Sequence, residues 1–151
     1  MSIKYYYHGS STDIKDKYLS PMPSKVLGGE KAVFATNDLY VALLFIPKWS
    51  DCDVEFGYYR GQSFIGEHYP GAFDKIFLNK DGYIYYVNSK NFENDERLGL
   101  KNIEFISKKK TAILKKKYIK DVFAELKKSP INFITHNMKM EAISKYFKPK
   151  K

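Results

Sequence analysis

The spacing of apolar residues changes several times along the chain, and each change marks an element. Residues 3–7, Ile-Lys-Tyr-Tyr-Tyr, are β-branched and aromatic, which predicts a strand. Residues 10–25 alternate turn formers with charges and predict a loop, in which "DIKDKYL" is the one stretch with helix character. The overlapping "PMPSKVLGGE" is punctuated by proline and glycine and extends the loop. Residues 32–35 are short and apolar, a second strand. Then the period lengthens: with Thr36 or Asn37 as N-cap, Leu39, Ala42, Leu43 and Ile46 fall on one helical face, and Pro47 stops the helix. Residues 50–80 hold strand fragments and glycine turns. "KDG" turns the chain into a strong strand over 83–87, and "IEFIS" and "TAILKKKYI" predict two more. Asp121 is placed to cap a helix over 122–128. Ser129 as N-cap and Pro130 at the first helical position open a closing helix over 130–147.

Strands in the middle with helices early and late predict an α+β fold with a mixed-order, mainly antiparallel sheet and flanking helices. A doubly wound parallel sheet needs regular strand–helix alternation, which this pattern lacks. The 151 residues, without repeats or an evident linker, suit one domain over 1–151.

Composition narrows the function classes. No window approaches the ~18 consecutive apolar residues of a membrane span, and "MSIKYYY" lacks the basic-then-apolar order of a secretion leader. The single Cys52 cannot close an internal disulfide, so a cytoplasmic location is expected. His8, Cys52, His68 and His136 are too widely spaced for a metal-ligand pattern, and no metal is expected. The net charge of +9 comes from lysine clusters at 108–110, 115–117, 127–128 and the tail. Such a field attracts polyanions. Lysine outnumbers arginine 24 to 2, however, and phosphate sites usually recruit arginine for its bidentate fork, so a solvated lysine face is the plainer reading.

Three stretches raise a sharper possibility. "YYHGSS", "VFATNDLYVALLF" and "IEFISKKKTAIL", in this order, resemble the first, second and third motifs of the ADP-ribosyltransferase fold. The likeness is to the histidine-containing branch of diphtheria toxin and the poly-ADP-ribose polymerases, and it spans roughly residues 3–126. In that branch the first strand closes on His-Gly-Ser or His-Gly-Thr, matched by His8, Gly9 and Ser10. The second ends in Phe-Ala with an alanine further into the next helix, matched by Phe34, Ala35 and Ala42. The third supplies a glutamate at a strand start, matched by Glu104.

The resemblance implies a split, mainly antiparallel sheet, NAD⁺ as co-substrate, and transfer of ADP-ribose to a protein or nucleic-acid acceptor or to water. Breaking the bond between nicotinamide and the ribose C1′ develops positive charge on the sugar, as in glycoside hydrolysis. The implied roles follow that chemistry. Gly9, without a Cβ, lets main-chain groups approach the carboxamide. A neutral His8 hydrogen-bonds a ribose, and Ser10 stands at the same rim. Glu104 grips the ribose 2′-hydroxyl and stabilises the oxocarbenium-like transition state. Tyr40, Phe34 or Tyr69 is expected to stand in for the family's ring, because its aromatic and serine places hold Val33, Val41 and Leu44 here, and Phe34, Thr36 and Tyr40 complete the expected cofactor site.

Plainer readings stand beside these. A lone histidine at a strand end is usually a satisfied polar residue. Glu104 alternates with Ile103 and Phe105, which equally fits a solvated carboxylate, with Glu96 in reserve. Glu67, His68 and Tyr69 in "GEHYPGAF" fit an ordinary glycine-bounded loop. The tyrosine runs 5–7 and 83–86 fit core and sheet surface. The rival functions are a catalytically degenerate nucleotide- or partner-binding member of the fold and a basic nucleic-acid-binding module. An RNA 2′-phosphotransferase on the same fold would call for more arginine than Arg60 and Arg97.

Overall fold

The computed structural model describes residues 3–50, 52–100 and 102–136. Along the chain run β1 (Tyr5–Ser10), β2 (Tyr18–Leu19), β3 (Met22–Pro23), β4 (Lys31–Thr36), α1 (Leu39–Leu44), β5 (Val54–Tyr59), β6 (Gln62–Glu67) and α2 (Ala72–Phe77). They are followed by β7 (Gly82–Asn88), a 3₁₀ turn at Ser89–Asn91, β8 (Glu104–Ser107), β9 (Thr111–Ala112), β10 (Lys115–Ile119), α3 (Val122–Lys127) and β11 (Asn132–Ile134). The fold is α+β with mostly antiparallel sheets, as the order of patterns predicts. Among the described residues no helix is long and apolar enough to cross a membrane.

The chain's length predicts one domain; the described residues gather into two compact units. The first unit takes the chain up to Ile46 together with Asp81–Lys120, and the second takes Pro47–Lys80 and the chain from Asp121 onward.

The first unit is a six-stranded antiparallel sheet in the order β10-β7-β1-β4-β3, with β8 on the other edge of β4. β1 and β7 pair along their whole length, from Tyr5↔Asn88 to Ser10↔Tyr83. One face buries Leu19, Val33, Ala35, Tyr85 and Val87. Tyr85 is fully buried, and its hydroxyl is satisfied twice. It donates to the Thr12 carbonyl and accepts from the Ile14 amide, both at 2.7 Å, tying the 12–14 segment to the sheet. The α1 face is closed by the buried side chains Val41 to Leu44. Asp38 caps α1 by accepting from the Tyr40 amide at 2.9 Å. The expected caps Thr36 and Asn37 lie outside this turn, and the Thr36 hydroxyl accepts instead from the Asp38 amide at 3.1 Å.

The second unit is built on the β5–β6 hairpin, whose Arg60-Gly61 turn has both residues at positive φ, the mirror-image turn that matches strand twist. β11 adds to β6 in parallel, with Asn132↔Phe64 to Ile134↔Gly66. Phe73, Phe77, Phe123 and Phe133 interlock between α2, α3 and β11, with centroids 5.0–6.1 Å apart in the Phe73–Phe133, Phe77–Phe123 and Phe123–Phe133 pairs.

This overturns the first part of the expected closing helix. Ser129 does not open a helix; its hydroxyl donates to the Leu126 carbonyl at 2.5 Å and accepts from the Ile131 amide at 3.2 Å. It therefore finishes α3, and Asn132–Ile134 is free to pair as a strand. The rest of the expected helix, from 137 to 147, lies outside the described residues. α2 falls where only strand fragments and turns are expected. Its first turn is capped from a distance: the buried Glu67 carboxylate accepts from the Phe73 amide at 3.1 Å and from the His136 amide at 3.0 Å. "DIKDKYL" forms no helix, and Tyr18–Leu19 pairs with Thr111–Ala112.

Replacing Tyr85 by Phe keeps the ring and removes the buried hydroxyl that the Thr12 carbonyl and the Ile14 amide share. Stability should fall by about 1–3 kcal/mol, read from the denaturant midpoint at unchanged m-value. An unchanged midpoint would show that the hydroxyl does not hold the 12–14 segment.

Candidate functional site

The site begins with the way β4 divides its edges. β8 pairs with it from Val33↔Ser107 to Thr36↔Glu104. The opposite edge is shared by two strands: β3 takes Lys31 and Ala32, and β1 meets β4 in the single row Tyr7↔Thr36. Main-chain groups alternate between the two edges of a strand. The Asn37 amide donates to the Ile103 carbonyl at 3.1 Å, toward β8, so Phe34 and Thr36 present their groups to the shared edge. Beyond Thr36 that edge has no strand to meet until Ala32. The histidine that ends the aromatic run fills the gap: Nδ1 of His8 donates to the Phe34 carbonyl at 2.6 Å. With Nδ1 committed as donor, Nε2 is the acceptor.

Two cavities open where the strands part. The smaller, about 180 Å³, is lined by Tyr7, His8, Gly9, Phe34, Ala35, Thr36, Phe45 and Glu104. The larger, about 770 Å³, includes His8, Ser10, Thr12, Tyr18 and Phe34 in its wall. His8 and Phe34 border both, so the pair held together by the 2.6 Å bond separates one cavity from the other.

Most of the sequence-predicted site residues thus converge. His8, Gly9, Phe34, Thr36 and Glu104 share the smaller cavity, while Ser10 borders the larger one, where its hydroxyl accepts from the Thr12 amide. Tyr40 is half-buried in the first turn of α1 and lines neither cavity. Val33, Val41 and Leu44 are 3%, 1% and 1% exposed, and all three are core residues. Glu96 is exposed and outside both cavities. In the second unit, Glu67 is spent on main-chain donors, His68 lies 4.0 Å from Glu55, and the Tyr69 hydroxyl donates to Asp53 at 2.7 Å. The plain-loop reading of that segment accounts for these contacts.

Two lining residues escape the sequence reading. Phe45 follows the last turn of α1 and reaches the smaller cavity, one place beyond the Leu44 position where the family resemblance puts an aromatic ring. Tyr7 lines the same cavity although its run reads as core and sheet surface. The clue to Phe45 was an aromatic residue just past an apolar helical stripe. Nothing in the sequence marks Tyr7 among its neighbours.

Burial sets the electrostatics. Glu104 opens β8 opposite Thr36 and is half-buried. Desolvation pushes its carboxyl above the ordinary value of 4.5, with a main-chain hydrogen bond at Leu100 opposing in part. Desolvation also pushes His8 below 6.5, against the smaller opposing effect of the Phe34 carbonyl, so the imidazole is neutral at pH 7. A desolvated carboxylate facing a neutral imidazole acceptor across one cavity suits hydrogen bonding to hydroxyl groups and proton uptake from one of them.

Gly9 is fixed by packing as well. A Cβ at this position would stand 1.9 Å from the Ala42 carbonyl oxygen and 3.3 Å from Cγ1 of Ile46. Only glycine lets α1 lie this close to β1.

Gly9→Ala should therefore lower stability by about 1–3 kcal/mol as α1 is forced outward, measured by thermal or denaturant unfolding; a neutral effect would mean that α1 yields freely. Glu104→Gln should act in the opposite sense. Because the folded-state pKa of Glu104 is raised, the stability it contributes is present below 4.5 and lost as pH rises through the folded value. The unfolding temperature of Glu104→Gln should match wild type near pH 4 and exceed it increasingly toward pH 7. A gap that stays flat or reverses would refute burial of the charge.

No family model, curated protein or solved structure matches the chain.

Proposed function

We propose that the chain is a divergent domain of the ADP-ribosyltransferase-like fold, of the histidine-containing branch. It binds NAD⁺ and transfers ADP-ribose to a macromolecule, or to water when no acceptor is seated. The observation that carries this reading is the convergence of His8, Gly9, Phe34, Thr36 and Glu104, drawn from three motifs up to 96 positions apart, on one cavity between parting strands.

The dimensions suit the ligand. A cavity of roughly 150 Å³ accommodates a benzene-sized ring, and the smaller one here holds about 180 Å³ between Tyr7 and Phe45. These rings replace the missing aromatics at positions 33 and 44 as neighbours for a nicotinamide. The larger cavity lies within the usual range of cofactor pockets and takes the adenosine diphosphate portion, with His8 at the junction. Nε2 of His8 accepts from a ribose hydroxyl. Glu104 accepts from the 2′-hydroxyl and lowers the energy of the cation that forms beside it. In the transfer the C1′–N bond breaks, its electron pair leaves with nicotinamide, and an acceptor oxygen or nitrogen bonds to C1′. The acceptor's proton passes to Glu104, whose raised pKa brings it nearer to the working pH of a base.

A second reading, binding without turnover, draws support from the buried aliphatic side chains at Val33, Val41 and Leu44. Labelled NAD⁺ incubated with the protein and a cell lysate separates the two. Wild type should label an acceptor or release nicotinamide, and Glu104→Gln should do so at least ~100-fold more slowly. Equal labelling by both removes Glu104 from its role, binding without product favours the second reading, and no binding at millimolar NAD⁺ ends both.

A further inference from the structure

The first unit carries another concave feature, a groove of about 400 Å³ at the far end of β8, which shares no lining residue with the two cavities above. Lys90, Lys108, Lys109 and Lys110 line it, with Glu93 as the one carboxylate. Its two walls are fixed. Glu93 and Ile106 exchange main-chain hydrogen bonds of 2.9 Å in both directions, joining the walls. The Lys108–Lys110 turn is held from beneath by two buried hydroxyls: those of Ser107 and Thr111 donate to the Lys109 carbonyl at 3.1 and 3.2 Å.

Some ammonium groups elsewhere on the unit are engaged by neighbours. Lys116 on β10 is bonded to Asp13, and Lys115 lies over the Tyr86 ring, 5.0 Å from its centroid. Lys108 is shared with Glu30 at 3.8 Å. Lys90 and Lys109 form no ion pair with a described residue. Lys110 leads out of the groove, lying 5.3 Å from the centroid of Tyr18, an exposed ring that also lines the larger cavity.

We infer that this groove holds the phosphodiester backbone of a nucleic-acid strand, with Tyr18 as a stacking surface for a base. Unpaired ammonium groups on fixed walls supply phosphate contacts, and a ring beside a cation supplies sequence-tolerant stacking. A concave site does not fit a flat bilayer, and a nucleic-acid strand, unlike an acidic peptide, brings a ring with every phosphate. Ser107 follows Glu104 by three residues of β8, or about 10 Å at the usual rise. About three stacked nucleotides cover that length at ~3.4 Å each. Resting on the function proposed above, the strand would be the acceptor.

The test is fluorescence anisotropy with a labelled, mixed-sequence, single-stranded oligonucleotide across a range of salt, with NAD⁺ binding measured separately by calorimetry. Lys90→Glu/Lys109→Glu should weaken oligonucleotide binding about tenfold or more and lower the salt slope by about 0.7 per lost contact. Lys127→Glu/Lys128→Glu, with the same charge change in the second unit, should cost less than about threefold. Replacing Lys90 and Lys109 by Gln should give an intermediate loss. Equal losses for the two Glu pairs, or tighter wild-type binding to polyglutamate or to phosphatidylserine vesicles than to the oligonucleotide, would overturn the inference. NAD⁺ binding should be unchanged in the groove variants. Oligonucleotide binding through the groove with no NAD⁺ binding would leave the groove standing and remove the enzymatic reading instead.

Discussion

The hydrogen bond from His8 to the Phe34 carbonyl answers a constraint set by β4. A strand has two edges, and every buried carbonyl on them needs a donor. β4 satisfies one edge with β8 and divides the other between β3 and β1, which leaves Phe34 facing a gap. A continuous ladder would close the gap and abolish both cavities. An imidazole donor satisfies the carbonyl without closing it, so the sheet stays parted at a cost the fold can bear.

Other features depend on the same parting. Gly9 follows His8 directly and admits α1 against β1, which brings Phe45 to the smaller cavity. Glu104 stands across β4, opposite Thr36, where burial disfavours its charge. A carboxylate held in such a place lowers the stability of the domain at neutral pH. Strain of this kind is common where a side chain is retained for chemistry. The neutral His8 adds no charge of its own to balance it.

The charge of the protein divides by environment in a way that composition does not reveal. On β10, Lys115 and Lys116 lie on tyrosine rings or on Asp13 along a sheet edge, a use of lysine that discourages edge-to-edge pairing. The plain reading of a solvated lysine face suits them. Lys90 and Lys108–Lys110 share a groove, and three of the four have no carboxylate partner among the described residues.

Local pattern was enough to place β1, β4, α1, β7 and α3, because each combines a clear period with a turn or cap residue beside it. The motif residues His8, Gly9 and Glu104 stand where the sequence changes character, Glu104 at the start of β8 and His8 and Gly9 just after the tyrosine run, although β1 continues through both to Ser10. α2 was legible in principle, since Ala72, Phe73, Ile76 and Phe77 have helical spacing, but its cap is the distant Glu67 and no local signal announces it. Ser129-Pro130 looks like a helix start and serves as a helix end, because a hydroxyl can bond either the turn before it or the turn after it. The sequence by itself determined the excess of positive charge and the strand or helix character of the segments with a clear local period. Only the tertiary structure decided that β1 meets β4 in one row, that Phe45 and not Tyr40 reaches the cavity, and that the described residues gather into two compact units. Those outcomes rest on contacts between residues far apart in the chain, where local propensity carries no information.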